Sequence, residues 1–197
     1  MRYALFGDSH SQVVFPILED ILTNAGHDVV ISKPVAGWTL KKHIQDGFAS
    51  LLLSSDADVL VLSLGGNNSN LSPSYQQTID QALQIVKQAG IKKIYWVSPA
   101  WAIRDDVQVR HEWTTNYLKS NLPRYVKFID IRPLTKSGHR SDGVHFNRST
   151  YEKWAKLVSE DLLTQLAITQ IPKWTWWIGG GVIGLSLLIV GIKKWNN

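Results

Sequence analysis

Residues 3–10 read Tyr-Ala-Leu-Phe-Gly-Asp-Ser-His, an apolar run that passes straight into a glycine, an acid, a serine and a histidine. Four buried-type residues bounded by a turn signal predict a short core strand, and the pattern of Ser11 to Asn24 predicts a helix directly behind it. Ser9 therefore sits on a strand-to-helix turn, where its hydroxyl is presented rather than packed away. Alone it reads equally as a helix N-cap.

Working outward, four further apolar runs have the same character: Asp28 to Ile31, Val59 to Leu64, Lys93 to Val97 and Val126 to Ile129. They are short, rich in Val, Ile and Leu, and separated by segments of helical length. Helical periodicity covers Ser11 to Asn24, Leu40 to Leu53, Tyr75 to Gln88, Val107 to Ser120 and Thr150 to Leu166. Alternation of this kind predicts an α/β domain in three layers, with a parallel five-stranded sheet buried between helices. Ligands in such sheets bind outside the carboxyl ends of the strands, where Ser9 and Asn67 both fall.

Three other segments carry chemistry that matches a serine. Asp142 and His145, in Ser-Asp-Gly-Val-His-Phe-Asn, lie just before the last predicted helix and can supply an orienting acid and a base. Gly37, in Val-Ala-Gly-Trp, is a loop glycine whose N–H is open to a substrate, and Asn67 follows Gly65-Gly66 at the end of the third strand. With the Ser9 N–H, these give three donors for a developing oxyanion. Each has a plainer reading, since Asp142 can cap a turn with Gly143, and Gly65-Gly66 can simply make one.

Taken together, the four blocks resemble the SGNH hydrolases, the superfamily of GDSL-type esterases and lipases. The letters correspond to Ser9, Gly37, Asn67 and His145, with Asp142 as the acid, in order across residues 1 to about 166. Two positions depart from the family pattern: His10 stands where Leu is usual, and Asn68 where Asp is frequent. The resemblance implies a flavodoxin-like strand order of 2-1-3-4-5, catalysis by Ser9, His145 and Asp142, an oxyanion hole of Ser9, Gly37 and Asn67, and no cofactor. Trp38, Trp101 and Arg104 lie on loops expected to rim the cleft and are candidate substrate contacts; as packing residues the two tryptophans are equally ordinary.

Composition bounds the alternatives. Cysteine is absent from the 197 residues, which removes disulfides, thiolate nucleophiles and zinc-thiolate sites. The net charge of +5 is uneven: Lys173, Lys193 and Lys194 carry three of the 21 basic residues, so the remainder nearly balances the 16 acidic ones. No basic tract interleaved with aromatics marks a nucleic-acid surface. His10, His43, His111 and His139 show no spacing that places metal ligands on one face.

The C-terminal segment differs in kind. Trp174 to Ile192 is 19 residues without a charge, enough at about 1.5 Å per residue to cross a hydrocarbon core of about 30 Å. Trp174, Trp176, Trp177 and Trp195, with the flanking lysines, resemble interfacial anchors. The sequence thus divides into a domain at 1–169, a joint at 170–173, a transmembrane helix at 174–192 and a basic tail at 193–197. Gly180 and Gly184 form a small-xxx-small pair suited to self-association, although glycine is common in membrane helices anyway. No signal peptide is recognised after Met1-Arg2. Asn67-Asn68-Ser69 is a glycosylation acceptor pattern on the oxyanion residue, which favours a cytoplasmic or prokaryotic setting, including a virus of prokaryotes, over a glycosylating lumen.

The expected function is a membrane-anchored serine esterase that removes O-acyl groups, acetyl above all, from an envelope glycan such as peptidoglycan. A lipase, lysophospholipase or thioesterase acting on bilayer lipids is the second reading. A non-catalytic membrane or virion structural protein that keeps the fold is the third.

Overall fold

The computed structural model describes residues 1–68 and 74–169. Met1–Leu163 forms one compact unit, and a second begins at Thr164. The candidate membrane span at 174–192, its flanking joint and tail, and Gly180 and Gly184 lie outside the described residues, as does the loop at 69–73. No helix among the described residues is long and apolar enough to cross a membrane.

The sheet has five parallel strands in the order β2-β1-β3-β4-β5, as the family resemblance implies. These are β1 (Arg2–Gly7), β2 (Asp28–Pro34), β3 (Val59–Ser63), β4 (Lys93–Val97) and β5 (Val126–Ile129). The helices are α1 (Ser11–Asn24), α2 (Leu40–Gln45), α3 (Phe48–Leu53), α4 (Ser74–Gln88), α5 (Asp105–Asn121) and α6 (Arg148–Thr169). The apolar runs fall on both faces because strand side chains alternate. Tyr3, Leu5, Val59, Val61, Tyr95 and Val97 pack with Phe15, Leu18, Leu22 and Trp154 from α1 and α6. Ala4, Phe6, Leu60, Leu62, Ile94 and Trp96 pack with Leu40, Phe48, Leu52, Ile79 and Leu83 on the other side. At roughly 1.5–3 kcal/mol per fully buried large side chain, these two layers dominate the stabilisation.

One element differs from the sequence expectation. Leu40 to Leu53 is two helices, not one, because the chain breaks at Asp46-Gly47, where Gly47 has φ +95° and is followed at once by α3. A left-handed residue cannot continue a helix, and glycine adopts that conformation without a Cβ penalty.

The register sets the site. Gly7 pairs with Pro34 on one side and Ser63 on the other, and Ser63 pairs with Val97. The carboxyl ends of β1, β2, β3 and β4 therefore lie level, and the turns that leave them open on one edge.

Candidate active site

At the end of β1 the chain must turn sharply. A Cβ on Gly7 would stand 2.0 Å from Ser11 Oγ and 2.9 Å from Phe15, so only glycine lets α1 cross the strand end so closely. The Asp8 carboxylate accepts the His10 N–H at 3.1 Å, a local turn that leaves Ser9 at the apex, half-buried. The His10 carbonyl then accepts the N–H groups of Val13 and Val14, both at 3.1 Å, and starts α1.

The second turn follows β3. Gly65 has φ +131°, and a Cβ there would meet Thr114 at 2.8 Å; one on Gly66 would meet His111 Nε2 at 2.9 Å. Trp96 Nε1 donates to the Leu64 carbonyl at 3.0 Å and fixes this loop to β4. The Asn67 amide donates to the Trp38 carbonyl at 3.3 Å, which brings the Asn67 turn against the Gly37-Trp38 loop.

The third piece precedes α6. Gly143 has φ +69°, its N–H donates to Arg140 O at 3.0 Å, and its carbonyl accepts the Ile103 N–H at 2.9 Å. The Arg140 N–H donates back to His145 O at 2.7 Å, and Asn147 Oδ1 accepts the Thr150 N–H at 3.0 Å as α6 begins. Within this turn Asp142 Oδ1 accepts the N–H groups of Val144 and His145, each at 2.8 Å, while Oδ2 accepts His145 Nδ1–H at 2.9 Å. Those backbone donors, Val144 first, then the His145 N–H and imidazole, hold the carboxyl well below the usual carboxylate range.

Across 136 residues of sequence the pieces meet: the Ser9 hydroxyl donates to His145 Nε2 at 2.9 Å. The hydrogen-bond network assigns the ring proton to Nδ1 and leaves Nε2 as acceptor. A hydroxyl, an imidazole and an ionised carboxylate in one line can pass a proton from oxygen to nitrogen and stabilise the imidazolium that results.

A cleft of about 270 Å³ opens over this line, walled by Ser9, Asn67, Asp142, Val144 and His145 together with Arg104, Val107, Arg110 and His111. Of the three loop residues expected at the rim, Arg104 is in the wall. Trp38 instead lies edge-on to His43 at 4.9 Å, with Lys33 and Lys42 at 5.2 and 5.4 Å from its ring. Trp101 lies under the Arg132 guanidinium at 4.8 Å and Lys136 at 5.5 Å. Gly37 is exposed at φ +75° in the turn after β2 and is not part of the cleft wall.

Sequence reasoning overlooked the support beneath the site. His10, at 5% exposure, lies 5.0 Å from the His145 ring, and its Nδ1 accepts the Tyr151 hydroxyl at 3.1 Å. That hydroxyl accepts the Phe146 N–H at 3.3 Å, so one buried tyrosine joins the serine turn to the histidine turn. Burial first, and then the neighbouring His145, pushes His10 down from 6.5 to about 3, which keeps it neutral. Burial likewise pushes Asp8 up from 3.8 to about 6, against the His10 N–H, which lowers it. His111, also buried and lowered chiefly by that burial, donates Nδ1–H to Ala100 O at 2.7 Å. The only sequence signal for these residues was the departure from Leu at position 10. Among the described residues no group of three or more His, Asp or Glu side chains is placed to hold a metal ion.

No protein-family model matches this chain, and no curated protein matches it in sequence. Solved structures do match. An acetyl esterase mutant, solved with an acetate ion, is 14% identical with a TM-score of 0.67, over 86% of this chain and 99% of that one. A family 3 carbohydrate esterase from Clostridium thermocellum is 19% identical with a TM-score of 0.63, over 85% and 98% of the two chains. TesA is 17% identical with a TM-score of 0.65, over 80% and 96%. Identities this low establish a common fold.

Proposed function

We propose that this chain is a serine ester hydrolase of the SGNH type that removes O-acetyl groups from a carbohydrate. The observation that carries the reading is the Ser9–His145–Asp142 line, with its contacts of 2.9 Å between hydroxyl and imidazole and 2.9 Å between imidazole and carboxylate. The fold shared with an acetyl esterase and a carbohydrate esterase supports the reaction class. The cleft volume of about 270 Å³ falls just below the range of small-molecule pockets, roughly 300–1,000 Å³, which favours a small acyl group.

In the reaction, Ser9 Oγ attacks the ester carbonyl as His145 Nε2 takes its proton. The Ser9 N–H and the Asn67 amide, which border the cleft, receive the oxyanion, and the Gly37 N–H reaches it as a third donor only if its loop, tied to Asn67 through the Trp38 carbonyl, closes over the bound ester. The tetrahedral intermediate collapses as His145 protonates the leaving alcohol, and an acyl-serine remains. Water then attacks that ester, giving its proton to His145, and the acid leaves as Ser9 regains the proton. Asp142 keeps the proton on Nδ1 throughout.

The uncharged segment at 174–192 supplies an anchor to a prokaryotic membrane in this reading, and the tether raises the local concentration of an envelope glycan. The test uses the full chain in detergent and in membranes. A fluorophosphonate probe labels the wild type and not Ser9→Ala, and nitrophenyl esters are cleaved with preference for acetate. A preference for long acyl chains would favour the lipid reading, and absence of both labelling and hydrolysis would leave a non-catalytic protein. Recovery of the chain in a carbonate-washed membrane pellet tests the anchor.

A further inference from the structure

One wall of the cleft carries a charge that acyl transfer does not use. Arg104, Val107, Arg110 and His111 recur at the spacing of one helix face, and all four border the cleft beside Ser9 and His145. Three charged or polar groups here are already engaged. Arg104 donates through Nε and Nη2 to Asp106 at 3.1 and 2.7 Å. His111 donates to Ala100 O and is held neutral by burial. Asp142 is taken up by His145 and two backbone N–H groups.

Arg110 is different. Its Nε is buried and has no hydrogen-bond partner among the described residues. Asp106, one turn earlier, takes its hydrogen bonds from Arg104 and feels Arg110 only through charge. Asp8, the other acid of the cleft, accepts the His10 N–H. A guanidinium stays charged at any relevant pH and offers five donors in a planar fork that matches a carboxylate. With Arg110 in the cleft wall and in no ion pair among the described residues, the Nη donors of its fork favour a ligand that brings the missing anion.

We infer that Arg110 receives a carboxylate on the alcohol part of the substrate, so that O-acetylated acidic sugars are selected over neutral ones. This rests on the esterase reading, and it deepens it: an acetyl group carries no charge, so the anion recognised at Arg110 belongs to the sugar that leaves.

The experiment measures kcat/KM of the full chain in detergent on O-acetylated oligogalacturonate and on O-acetylated neutral xylo-oligosaccharide. The wild type prefers the acidic ester by about tenfold or more at low salt, and the preference shrinks as salt screens the charge. Arg110→Gln lowers the acidic-to-neutral ratio by about tenfold, and Arg110→Lys retains part of it. Equal rates on the two sugars by the wild type overturn the inference. So does an Arg110→Gln variant that loses both activities by the same factor, or hydrolysis confined to lysophospholipids. If no ester is cleaved, the esterase reading fails, and calorimetry with de-acetylated oligogalacturonate then decides on Arg110 alone: binding weakened in Arg110→Gln sustains it, and no binding overturns it.

Discussion

Replacing Asp142 by asparagine would test the site through the position of a single proton. The two carboxylate oxygens divide the work: Oδ1 accepts the Val144 and His145 N–H groups at 2.8 Å, and Oδ2 accepts His145 Nδ1–H at 2.9 Å. An asparagine preserves the turn by placing its carbonyl oxygen where Oδ1 was. Its NH2 then faces Nδ1, and a donor there forces the ring proton to Nε2. Nε2 in turn presents a hydrogen to Ser9 Oγ, 2.9 Å away, where the reaction needs an acceptor. The opposite orientation keeps the tautomer but sets the amide NH2 against the Val144 and His145 N–H groups, donor against donor, and strips both of their acceptor. The turn therefore selects the inactive tautomer. In serine hydrolases this exchange costs about 10⁴ in kcat, or roughly 5.5 kcal/mol of barrier. The assay is the initial rate on p-nitrophenyl acetate together with thermal unfolding of the same sample. The expected result is a fall in kcat of about four orders of magnitude, with the melting temperature within a few degrees of wild type. A variant that melts normally and keeps kcat within about tenfold of wild type would refute the assignment of Asp142, and with it the proposed triad.

Two further substitutions probe the layer beneath. Asp8, raised from 3.8 to about 6 by burial, binds its proton more tightly when folded than when unfolded, so its ionisation destabilises the fold: the penalty is absent below about pH 3.8, accrues between there and about 6, and is constant above. Asp8→Asn, which keeps an acceptor for the His10 N–H, is expected to raise stability at pH 8 by up to about 3 kcal/mol and to leave it unchanged at pH 3.5. Denaturant titrations at the two pH values check this, and an equal loss at both would contradict it. Tyr151→Phe removes the hydroxyl that bridges His10 Nδ1 and the Phe146 N–H. The loss is about 1–3 kcal/mol for the buried groups left unpaired, or roughly 2–4 °C of melting temperature per kcal/mol. Because the bridge joins the serine and histidine turns, kcat should fall more than KM rises in steady-state kinetics; a change in melting temperature with kcat untouched would show a role in stability alone.

The three turns that carry Ser9, Asn67 and the Asp142–His145 pair were legible before any coordinates, because each is a short-range problem. An apolar run followed by Gly-Asp-Ser, or a glycine pair after a strand, states where the backbone stops and bends. Asp142 and His145 are three residues apart, and their hydrogen bond closes within that one turn. The break at Asp46-Gly47 was also written in the chain, in a glycine whose left-handed φ ends α2, but the apolar spacing on either side masked it.

What the wall of the cleft contains was decided by packing between distant elements. Arg110 and His111 border the same cleft as Ser9, and α5 approaches the Gly65-Gly66 turn through Thr114 and His111 at a closeness permitted by the missing Cβ atoms there. Trp38 and Trp101 looked equally suited to the rim, yet each found cationic neighbours, lysines for one and Arg132 and Lys136 for the other. His10 and Tyr151, far apart in the chain, meet through a single hydroxyl. Local spacing dictates backbone conformation and so the reactive line; which side chains surround it depends on how helices and strands dock, and that is set by the joint filling of two cores rather than by any one segment.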